Sequence, residues 1–523
     1  MFSIAQLLHV RMRENCQLDA ISYSNRSITY GELSAKALAV AGALIECGAH
    51  RETVGIVGQR TPSSYFGVLG ILYSGCNYLP INPKYSQQRL VSMIRDARVQ
   101  YIVGDKLSLQ MLDSVLSNPD MPTIKAIILP EGTTPEGKCW IDEKALRITT
   151  PLSSPVVVSP ADLAYVLYTS GSTGMPKGVQ VLNSNVLAFL KSMADIYHLN
   201  VGFRASQTFD LSFDPSASDM FFTWANGGTL CVLPAEEMML PHDYIVREEI
   251  NFWNSVPVIV NFLHKMGFLL PNAFPTLTHS MFCGEQFPKY LADIWRKAAP
   301  NSTIENLYGP TESTIYISRY LYQKHEESSE FRNGIVPIGR PFLGHDFAII
   351  DEFGHKVPQG EIGEIVYKGP QITKGYLNDP EKTKTVFVTF DWDKTAAKWY
   401  RSGDLGFYNV DGNYECIGRK DNQIKLGGRR IEIGEIEAVL RLYPETSNAV
   451  VVPVKDAAEV VIACVAFLTM QLSKEQEIQI RKDSEKYLER IFFPKRILYI
   501  KTFPMSPSGK IDRKALSETA REL

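Results

Sequence analysis

The sequence lacks the features that mark several large protein classes. Its eight cysteines stand singly without a CxxC pair, which argues against a structural zinc site or a thioredoxin-like redox centre. No apolar stretch approaches the roughly 20 residues of a transmembrane helix, and the charged N-terminal stretch does not resemble a signal peptide. With 54 basic and 57 acidic residues, the chain gives no electrostatic reason to expect nucleic acid or a membrane as a partner. These absences predict a reduced, cytoplasmic protein.

The length and the apolar pattern predict a layered α/β protein. At 523 residues, 45% hydrophobic and 21% charged, the chain suits one large unit or two subdomains, with a smaller unit in addition. Residues 30–47 have the apolar spacing of a helix, whereas residues 53–58 and 101–104 are short, apolar, strand-like runs. Such alternation predicts helices layered on a mostly parallel sheet.

The C-terminal region has the pattern of a separate small unit. Residues 431–442 have the apolar spacing of an amphipathic helix, and residues 449–454 and 460–469 resemble strands. We place the boundary at Asp421, which divides the chain into units 1–420 and 421–523.

A glycine-rich segment at residues 169–178, TSGSTGMPKG, follows an apolar run. Backbone N–H groups freed by glycine, hydroxyl groups and one ammonium suit the oxygens of a polyphosphate. The spacing departs from the P-loop pattern because Met175 and Pro176 separate Gly174 from Lys177. On its own the segment predicts phosphate binding, with a surface loop of small residues as the alternative.

With its flanking residues, this segment resembles the signature of the adenylate-forming (ANL) superfamily, which includes acyl-CoA synthetases and the adenylation domains of nonribosomal peptide synthetases. Four further segments match in the expected order: NLYGPTEST at 306–314, YRSGDLG at 400–406, GRKDNQIKLGGRRIEIGEIE at 418–437 and PMSPSGKIDRK at 504–514. The resemblance implies a large N-terminal domain of layered α/β subdomains and a small, mobile α+β C-terminal domain. It also implies an AMP-forming ligase similar to prolyl- and D-alanyl-carrier protein ligases.

By this resemblance, ATP and Mg2+ are the expected cofactors. The nucleotide residues implied are Thr169, Ser170, Gly171, Ser172, Thr173, Gly174, Lys177, Tyr308, Thr311, Asp404 and Arg419. Tyr308 would lie against the adenine, Thr311 would contact the α-phosphate, and Asp404 would accept hydrogen bonds from the ribose hydroxyls. Arg419 would contact ribose and phosphate. Glu312 would hold the magnesium, a hard cation that prefers carboxylate and phosphate oxygens.

The resemblance further implies two orientations of the C-terminal domain, one for each half-reaction. Asp421 matches the hinge, and Lys510 matches the catalytic lysine of the adenylation orientation. In the second orientation Gly427 and Gly428 would approach the phosphopantetheine arm, because glycine lets a backbone come close to a ligand. Lys425 matches a lysine of the same face.

The segment 207–233 contains two Phe-Asp pairs and bears on the choice of acid. Phe213 to Ser216 matches the FDxS segment of the family, so Asp214 would pair with the α-ammonium of an amino acid. The rival register places Asp210 there. A buried carboxylate needs such a counter-charge, which fatty and aryl acids do not carry. The implied side-chain pocket comprises Pro215, Ser218, Asn254, Met281, Cys283, Leu307, Ile315 and Tyr316.

This mixed pocket suits a small or medium amino acid, with proline as the leading expectation and alanine next. Two residues depart from the family pattern: Asn183, where histidine is common, and Cys416, where an aromatic residue is common. No carrier segment follows the matched motifs, so we expect the acceptor to be a separate phosphopantetheinylated carrier protein. The alternatives are an acyl- or aryl-CoA ligase and a catalytically silent nucleotide-binding homologue.

Overall fold

The computed structural model describes residues 3–133, 140–169, 176–323, 331, 334–420, 423–446, 448–456, 460–505 and 511–521. Its strands are β1 (Asp19–Tyr23), β2 (Arg26–Thr29), β3 (Thr53–Val57), β4 (Asn77–Ile81), β5 (Tyr101–Gly104), β6 (Ala126–Ile128), β7 (Trp140–Ile141), β8 (Leu163–Thr169), β9 (Lys177–Leu182), β10 (Arg204–Gln207), β11 (Thr229–Val232), β12 (Phe252–Ser255), β13 (His279–Phe282), β14 (Thr303–Tyr308), β15 (Ser318–Tyr322), β16 (Arg340–Pro341), β17 (Asp346–Ile350), β18 (Gly363–Lys368), β19 (Phe387–Val388), β20 (Trp399–Tyr408), β21 (Tyr414–Arg419), β22 (Gln423–Leu426), β23 (Arg429–Glu432), β24 (Val450–Lys455), β25 (Val461–Leu468) and β26 (Arg496–Tyr499).

The α-helices are α1 (Ile4–Glu14), α2 (Tyr30–Glu46), α3 (Pro62–Tyr73), α4 (Gln87–Asp96), α5 (Leu109–Leu116), α6 (Glu143–Leu146), α7 (Asn183–Ile196), α8 (Pro215–Ala225), α9 (His242–Arg247), α10 (Pro257–Lys265), α11 (Lys289–Ala298), α12 (Pro380–Val386), α13 (Ile433–Leu440), α14 (Lys474–Ser484) and α15 (Arg513–Arg521). Across the part of the chain described above, none of these helices combines the length and apolarity needed to cross a membrane.

Two large sheets form the frame of the N-terminal region. A seven-stranded sheet has the order β7-β6-β5-β3-β4-β8-β9, and a nine-stranded sheet has the order β16-β15-β14-β13-β12-β10-β11-β1-β2. Both have parallel centres and antiparallel pairs at an edge, such as β8 with β9 and β14 with β15. The predicted α/β layering on a mostly parallel sheet is therefore confirmed for these layers.

Helices α2 and α3 pack against each other. Every residue of α3 is buried, and it packs on α2 and on strands β3, β4 and β5. Its sequence PSSYFGVLGILY has almost no polar face, as expected of a helix covered all round. Helix α2 begins with a capping box in which Thr29 and Glu32 satisfy each other's backbone N–H groups.

The smaller layers follow in the chain. Strands β17, β18, β19, β20 and β21 form an antiparallel five-stranded sheet, and β22 with β23 forms a separate hairpin. The last sheet, β24-β25-β26, is flanked by α13 and α15. This α+β arrangement agrees with a smaller C-terminal domain, whose boundary at Asp421 stays a prediction because residues 421–422 lie outside the described ones.

Candidate active site

A cavity of about 120 Å³ lies where both large sheets, the five-stranded sheet and the β22–β23 hairpin converge. It includes the ends of β8 and β14, where connections that leave a sheet commonly form ligand sites in layered α/β proteins. Residues from the separate sequence motifs line it together: Thr169, Asp214, Pro215, Cys283, Tyr308, Thr311, Ile315, Tyr316, Asp404, Arg419, Lys425, Gly428 and Arg430.

Three of the predicted nucleotide-binding residues form a hydrogen-bonded group on the cavity wall. The Tyr308 hydroxyl donates to Asp404 Oδ2 at 2.5 Å, and Arg419 Nη1 donates to Asp404 Oδ1 at 2.7 Å. Asp404 is buried on β20, next to Ser402, whose hydroxyl accepts a bond from the Asp404 backbone N–H. The carboxylate is thus held in one orientation by its neighbours and retains further acceptor sites toward the cavity.

Glu312 lies on a short 3-10 helix after β14 and is 1% exposed. The Tyr376 hydroxyl donates to its Oε1 at 2.7 Å, and Arg430 Nη1 lies 3.5 Å from its Oε2. Burial acts to raise the pKa of Glu312, but Arg430 and Tyr376 outweigh it, and the pKa lies below the ordinary value. Lys177 Nζ lies 5.6 Å from the centre of the Tyr376 ring, on the same side of the site.

Sequence reasoning assigned no role to Tyr376 or Arg430. Arg430 stands inside the quoted segment 418–437, and a buried carboxylate such as Glu312 requires a cation near it. A cationic partner for Glu312 could therefore have been sought within this segment, where Arg430 lies. Tyr376 lies far from the quoted motifs, and its contact depends on the fold alone.

Asp214 lies at the N-terminus of α8, whose first helical residue is Pro215. Its Oδ2 atom is buried and has no hydrogen-bond partner. Burial raises the pKa of Asp214 to about 7, and the charge of Glu312 adds to the increase. A half-buried carboxyl that lines a cavity and has one oxygen without a hydrogen-bond partner is a site for a cationic or hydrogen-bond-donating ligand group.

Asp210, the alternative residue, lies among basic side chains and is not part of the cavity wall. Its carboxylate is 3.4 Å from Arg429 Nη2, 3.6 Å from Lys84 Nζ and 3.9 Å from Arg60 Nε. These basic side chains offset the charge of Asp210. Among the described residues, no basic side chain forms an ion pair with Asp214.

The eight residues predicted to form the side-chain pocket separate into two groups. Those that line the cavity are Pro215, Cys283, Ile315 and Tyr316. Those that are buried but do not line it are Ser218, Asn254, Met281 and Leu307. Four of the eight predicted residues therefore line the cavity.

The glycine pair forms the turn of the β22–β23 hairpin and reaches the cavity. Gly428 has a φ of +76°, and its N–H donates to Glu285 Oε1 at 2.6 Å. A Cβ at Gly428 would lie 2.7 Å from Val256 Cγ1, so the backbone approaches this wall as closely as only glycine permits. Lys425, on the same hairpin, lines the cavity.

Several predicted residues lie outside the described part of the chain: Ser170, Gly171, Ser172, Thr173, Gly174, Asp421 and Lys510. Of the two departures from the family pattern, Asn183 begins α7 and donates to the backbone carbonyl of Asp162 at 3.0 Å. It also accepts a bond from the N–H of Ile4, which ties α1 to this helix. Cys416 lies on β21, where burial raises the pKa of its thiol to about 12.

Known proteins resemble this chain over most of its length. The family model described as "AMP-binding enzyme" matches residues 8–377. Zwittermicin A synthase ZmaJ of Bacillus cereus is 31% identical over 507 residues, which cover 95% of this chain and 91% of ZmaJ. Malpinin synthetase of Mortierella alpina is 30% identical over 95% of this chain, but the chain spans only 6% of that synthetase.

The fold also matches a solved structure along almost its whole length. The Vibrio cholerae adenylation domain AlmE, in complex with glycyl-adenosine-5'-phosphate, superposes with a TM-score of 0.86 at 27% identity. The match covers 99% of this chain and 97% of AlmE. The overlap includes both the large N-terminal part and the smaller C-terminal part.

Proposed function

This chain belongs to the AMP-binding enzyme family of AMP-forming ligases, and on that basis we propose that it activates an amino acid with ATP. The products are aminoacyl-AMP and pyrophosphate, and the aminoacyl group then passes to the phosphopantetheine thiol of a separate carrier protein. The observation that carries the proposal is Asp214, which lines the cavity together with Tyr308, Thr311 and Asp404 and whose Oδ2 has no hydrogen-bond partner.

Asp214 distinguishes an amino acid from other carboxylic acids. An ammonium group placed at Oδ2 would supply the missing partner and lower the pKa of the carboxyl back toward its ordinary value. A fatty or aryl acid would leave this oxygen unsatisfied at a cost of about 1–3 kcal/mol. Asp210 does not need such a ligand, because Arg60, Lys84 and Arg429 already surround it.

The nucleotide would lie along the other side of the same cavity. Asp404, held by Tyr308 and Arg419, is the acceptor for the ribose hydroxyls. Thr169 and Thr311 offer hydroxyl groups to the phosphates, and both line the cavity. Adenylation needs positioning and neutralisation of charge rather than a protein nucleophile, and these groups provide the positioning.

Glu312 fits a magnesium ion bound together with phosphate. Its Oε2 is buried and accepts no hydrogen bond from the described part of the chain, with only the ion pair to Arg430 at 3.5 Å, and a hard cation takes oxygen ligands. Among the described residues, no group of three or more His, Cys, Asp or Glu side chains could hold a metal by itself. Phosphate oxygens would therefore complete the coordination, and the ion would neutralise their charge. Lys177 would add a further positive charge near them.

The thiol acceptor would enter from the opposite side of the hairpin. A second cavity of about 500 Å³ is lined by Gly427, Gly428 and Val256 and also by the basic residues Lys84 and Lys265. Its lining is largely apolar, which suits the uncharged pantetheine arm. We also assign Lys425 to the transfer step, although it lines the first cavity and not this one. Lys510 belongs to the alternative orientation of the C-terminal domain, in which it would pair with the substrate carboxylate during adenylation, with Asp421 as the hinge.

The proposal is tested by exchange of labelled pyrophosphate into ATP over the twenty amino acids and several aryl and fatty acids. We expect exchange with a small amino acid, and proline and alanine are the first to be compared. The transfer step is tested by incubation of enzyme, ATP and amino acid with a holo-carrier protein or with free coenzyme A. Exchange only with aryl or fatty acids, or loading of coenzyme A in preference to the carrier, would contradict the proposal.

A further inference from the structure

The segment that follows β18, residues 371–377, joins the turn that carries Glu312 to strand β9. On one side of the segment, the Thr373 N–H donates to the backbone carbonyl of Glu312 at 3.0 Å. On its other side, the Leu377 N–H donates to the carbonyl of Gly178, on β9, at 2.7 Å. The carboxylate turn and the start of β9 are therefore held in one hydrogen-bonded frame.

Tyr376 belongs to this segment, and its side chain contacts a functional candidate on each side. Its hydroxyl donates to Glu312 Oε1 at 2.7 Å. Its ring centre lies 5.6 Å from Lys177 Nζ, within the distance of about 6 Å over which a ring attracts a cation. The residue is 5% exposed, its N–H donates to Thr383 Oγ1 at 3.0 Å, and its ring packs edge-on against Phe387. The tyrosine is thus fixed by its own neighbours, and it can fix the groups that it contacts.

The two carboxylate oxygens of Glu312 have different surroundings. Oε1 receives the Tyr376 hydroxyl, whereas Oε2 accepts no hydrogen bond from the described residues and lies 3.5 Å from Arg430 Nη1. A hydrogen bond to one oxygen fixes the orientation of the carboxylate and leaves the other oxygen for a cation. Groups that hydrogen-bond to a metal ligand in this way commonly orient it and tune its affinity for the metal.

We propose that Tyr376 is a positioning residue for the magnesium complex of ATP. Its hydroxyl orients Glu312 so that Oε2 is available to the metal, and its ring holds the ammonium of Lys177 on the side of the site where the phosphates would bind. This inference rests on the proposed function, in which Glu312 carries the magnesium. The two parts of the side chain have separate effects, because the hydroxyl acts through the metal and the ring acts through a charge that needs no metal.

The test measures the dissociation constant of ATP by isothermal titration calorimetry, once with excess Mg2+ and once with EDTA. The ratio of the EDTA constant to the Mg2+ constant gives the gain in affinity that the metal provides. In Tyr376→Phe, which loses only the hydroxyl, we expect this ratio to fall by about tenfold, the usual effect of removing a partner of a metal ligand. The affinity of this variant for ATP in EDTA should equal that of the wild type.

Tyr376→Leu removes the ring as well as the hydroxyl. We expect it to weaken ATP binding in EDTA too, because Lys177 loses the ring that attracts it. In both variants the Mg2+ concentration that gives half-maximal pyrophosphate exchange should rise, while the KM for the amino acid stays near that of the wild type.

Tyr367→Phe is the matched control. Tyr367 lies on β18, is fully buried, and has a hydroxyl without a hydrogen-bond partner in the described part of the chain. Its loss of a hydroxyl should leave both dissociation constants unchanged. A double variant shows whether the tyrosine acts through Glu312: in the Glu312→Gln background, Tyr376→Phe should not lower the ratio further.

Thermal melts identify variants that do not fold, and Tyr376→Phe, the more conservative change, decides the outcome if Tyr376→Leu unfolds. This inference alone would be overturned by an unchanged ratio in Tyr376→Phe, by an equal loss of affinity with Mg2+ and with EDTA, or by the same loss in Tyr367→Phe. Wild-type affinity of Tyr376→Leu in EDTA would overturn the role of the ring. Failure of the wild type to bind ATP with Mg2+, or to catalyse exchange with any amino acid, would overturn the proposed function as well.

Discussion

The guanidinium of Arg430 lies 3.5 Å from Oε2 of Glu312, the carboxylate we assign to magnesium. Arg430 belongs to the β22–β23 hairpin, whereas Glu312 follows β14 of the nine-stranded sheet. Under the proposed function, one carboxylate would therefore serve two cations, the ion that accompanies ATP and the arginine of the β22–β23 hairpin. In this structure the β22–β23 hairpin lines the cavity. Arg430 thereby offsets the negative charge of Glu312.

Arg430→Met should slow transfer to the carrier more than it slows adenylation. In the hairpin-inserted arrangement the variant leaves Glu312 buried without its cation, so this arrangement loses stability. We expect transfer, measured by single-turnover loading of the carrier, to fall by about tenfold or more, with a smaller effect on pyrophosphate exchange. Arg441→Met is the matched control, because Arg441 is an exposed arginine at the end of α13 that pairs with Glu437. Equal losses in both reactions would contradict the assignment.

Asp214→Asn should reduce kcat/KM for the amino acid by about a hundredfold, the effect of removing one partner of a desolvated charge pair. The KM for ATP should stay near that of the wild type. Asp210→Asn is the comparison variant and should have a much smaller effect on exchange, since Asp210 is paired within the protein. The reverse ranking of the two variants would favour the alternative register.

The pH dependence of kcat/KM for the amino acid should report the titration of Asp214. Its pKa is raised to about 7, so below that pH the carboxyl of the free enzyme is protonated and offers no charge to an ammonium. We expect kcat/KM to fall as pH decreases, by about tenfold per unit well below the pKa. Glu285 and Glu435 also have a pKa of about 7, so the diagnostic measurement is the difference between wild type and Asp214→Asn. Identical profiles would exclude Asp214 as the titrating group.

Gly428→Ala should impair transfer through a steric conflict. The added Cβ would lie 2.7 Å from Val256 Cγ1, and the residue has a positive φ that costs alanine about 1 kcal/mol. Gly202→Ala is the matched control: Gly202 also has a positive φ, of +84°, but its Cβ would meet nothing within 4 Å. Carrier loading should decrease only in the Gly428 variant. A similar decrease in both variants would indicate general strain and not a blocked approach.

Lys510→Ala should abolish pyrophosphate exchange while the protein stays folded. This expectation comes from the sequence resemblance alone, since Lys510 lies outside the described residues. Lys514→Ala, a change at an exposed lysine at the start of α15, is the control and should retain exchange. Exchange near the wild-type rate in Lys510→Ala would refute the role, and circular dichroism would verify that both variants fold.

The sequence predicted best those features that depend on residues close together in the chain. The helix at 30–47 and the strands at 53–58 and 101–104 agree with α2, β3 and β5, because apolar periodicity and β-branched runs act locally. The motif around Glu312 led to the family for the same reason. Asp214 and Asp210, by contrast, have nearly the same local sequence, and their neighbours come from distant parts of the chain.

The sequence alone determined the family and the layered α/β class, since both are encoded in short contiguous segments, whereas the residues assigned to ATP stay a prediction. The tertiary structure decided which carboxylate keeps an unsatisfied oxygen, which of the pocket residues reach the cavity, and that Tyr376 contacts Glu312. Those properties depend on burial and on contacts between distant side chains, which for Tyr376 and Glu312 are 64 positions apart. Local pattern carries no information about such contacts until the chain is folded.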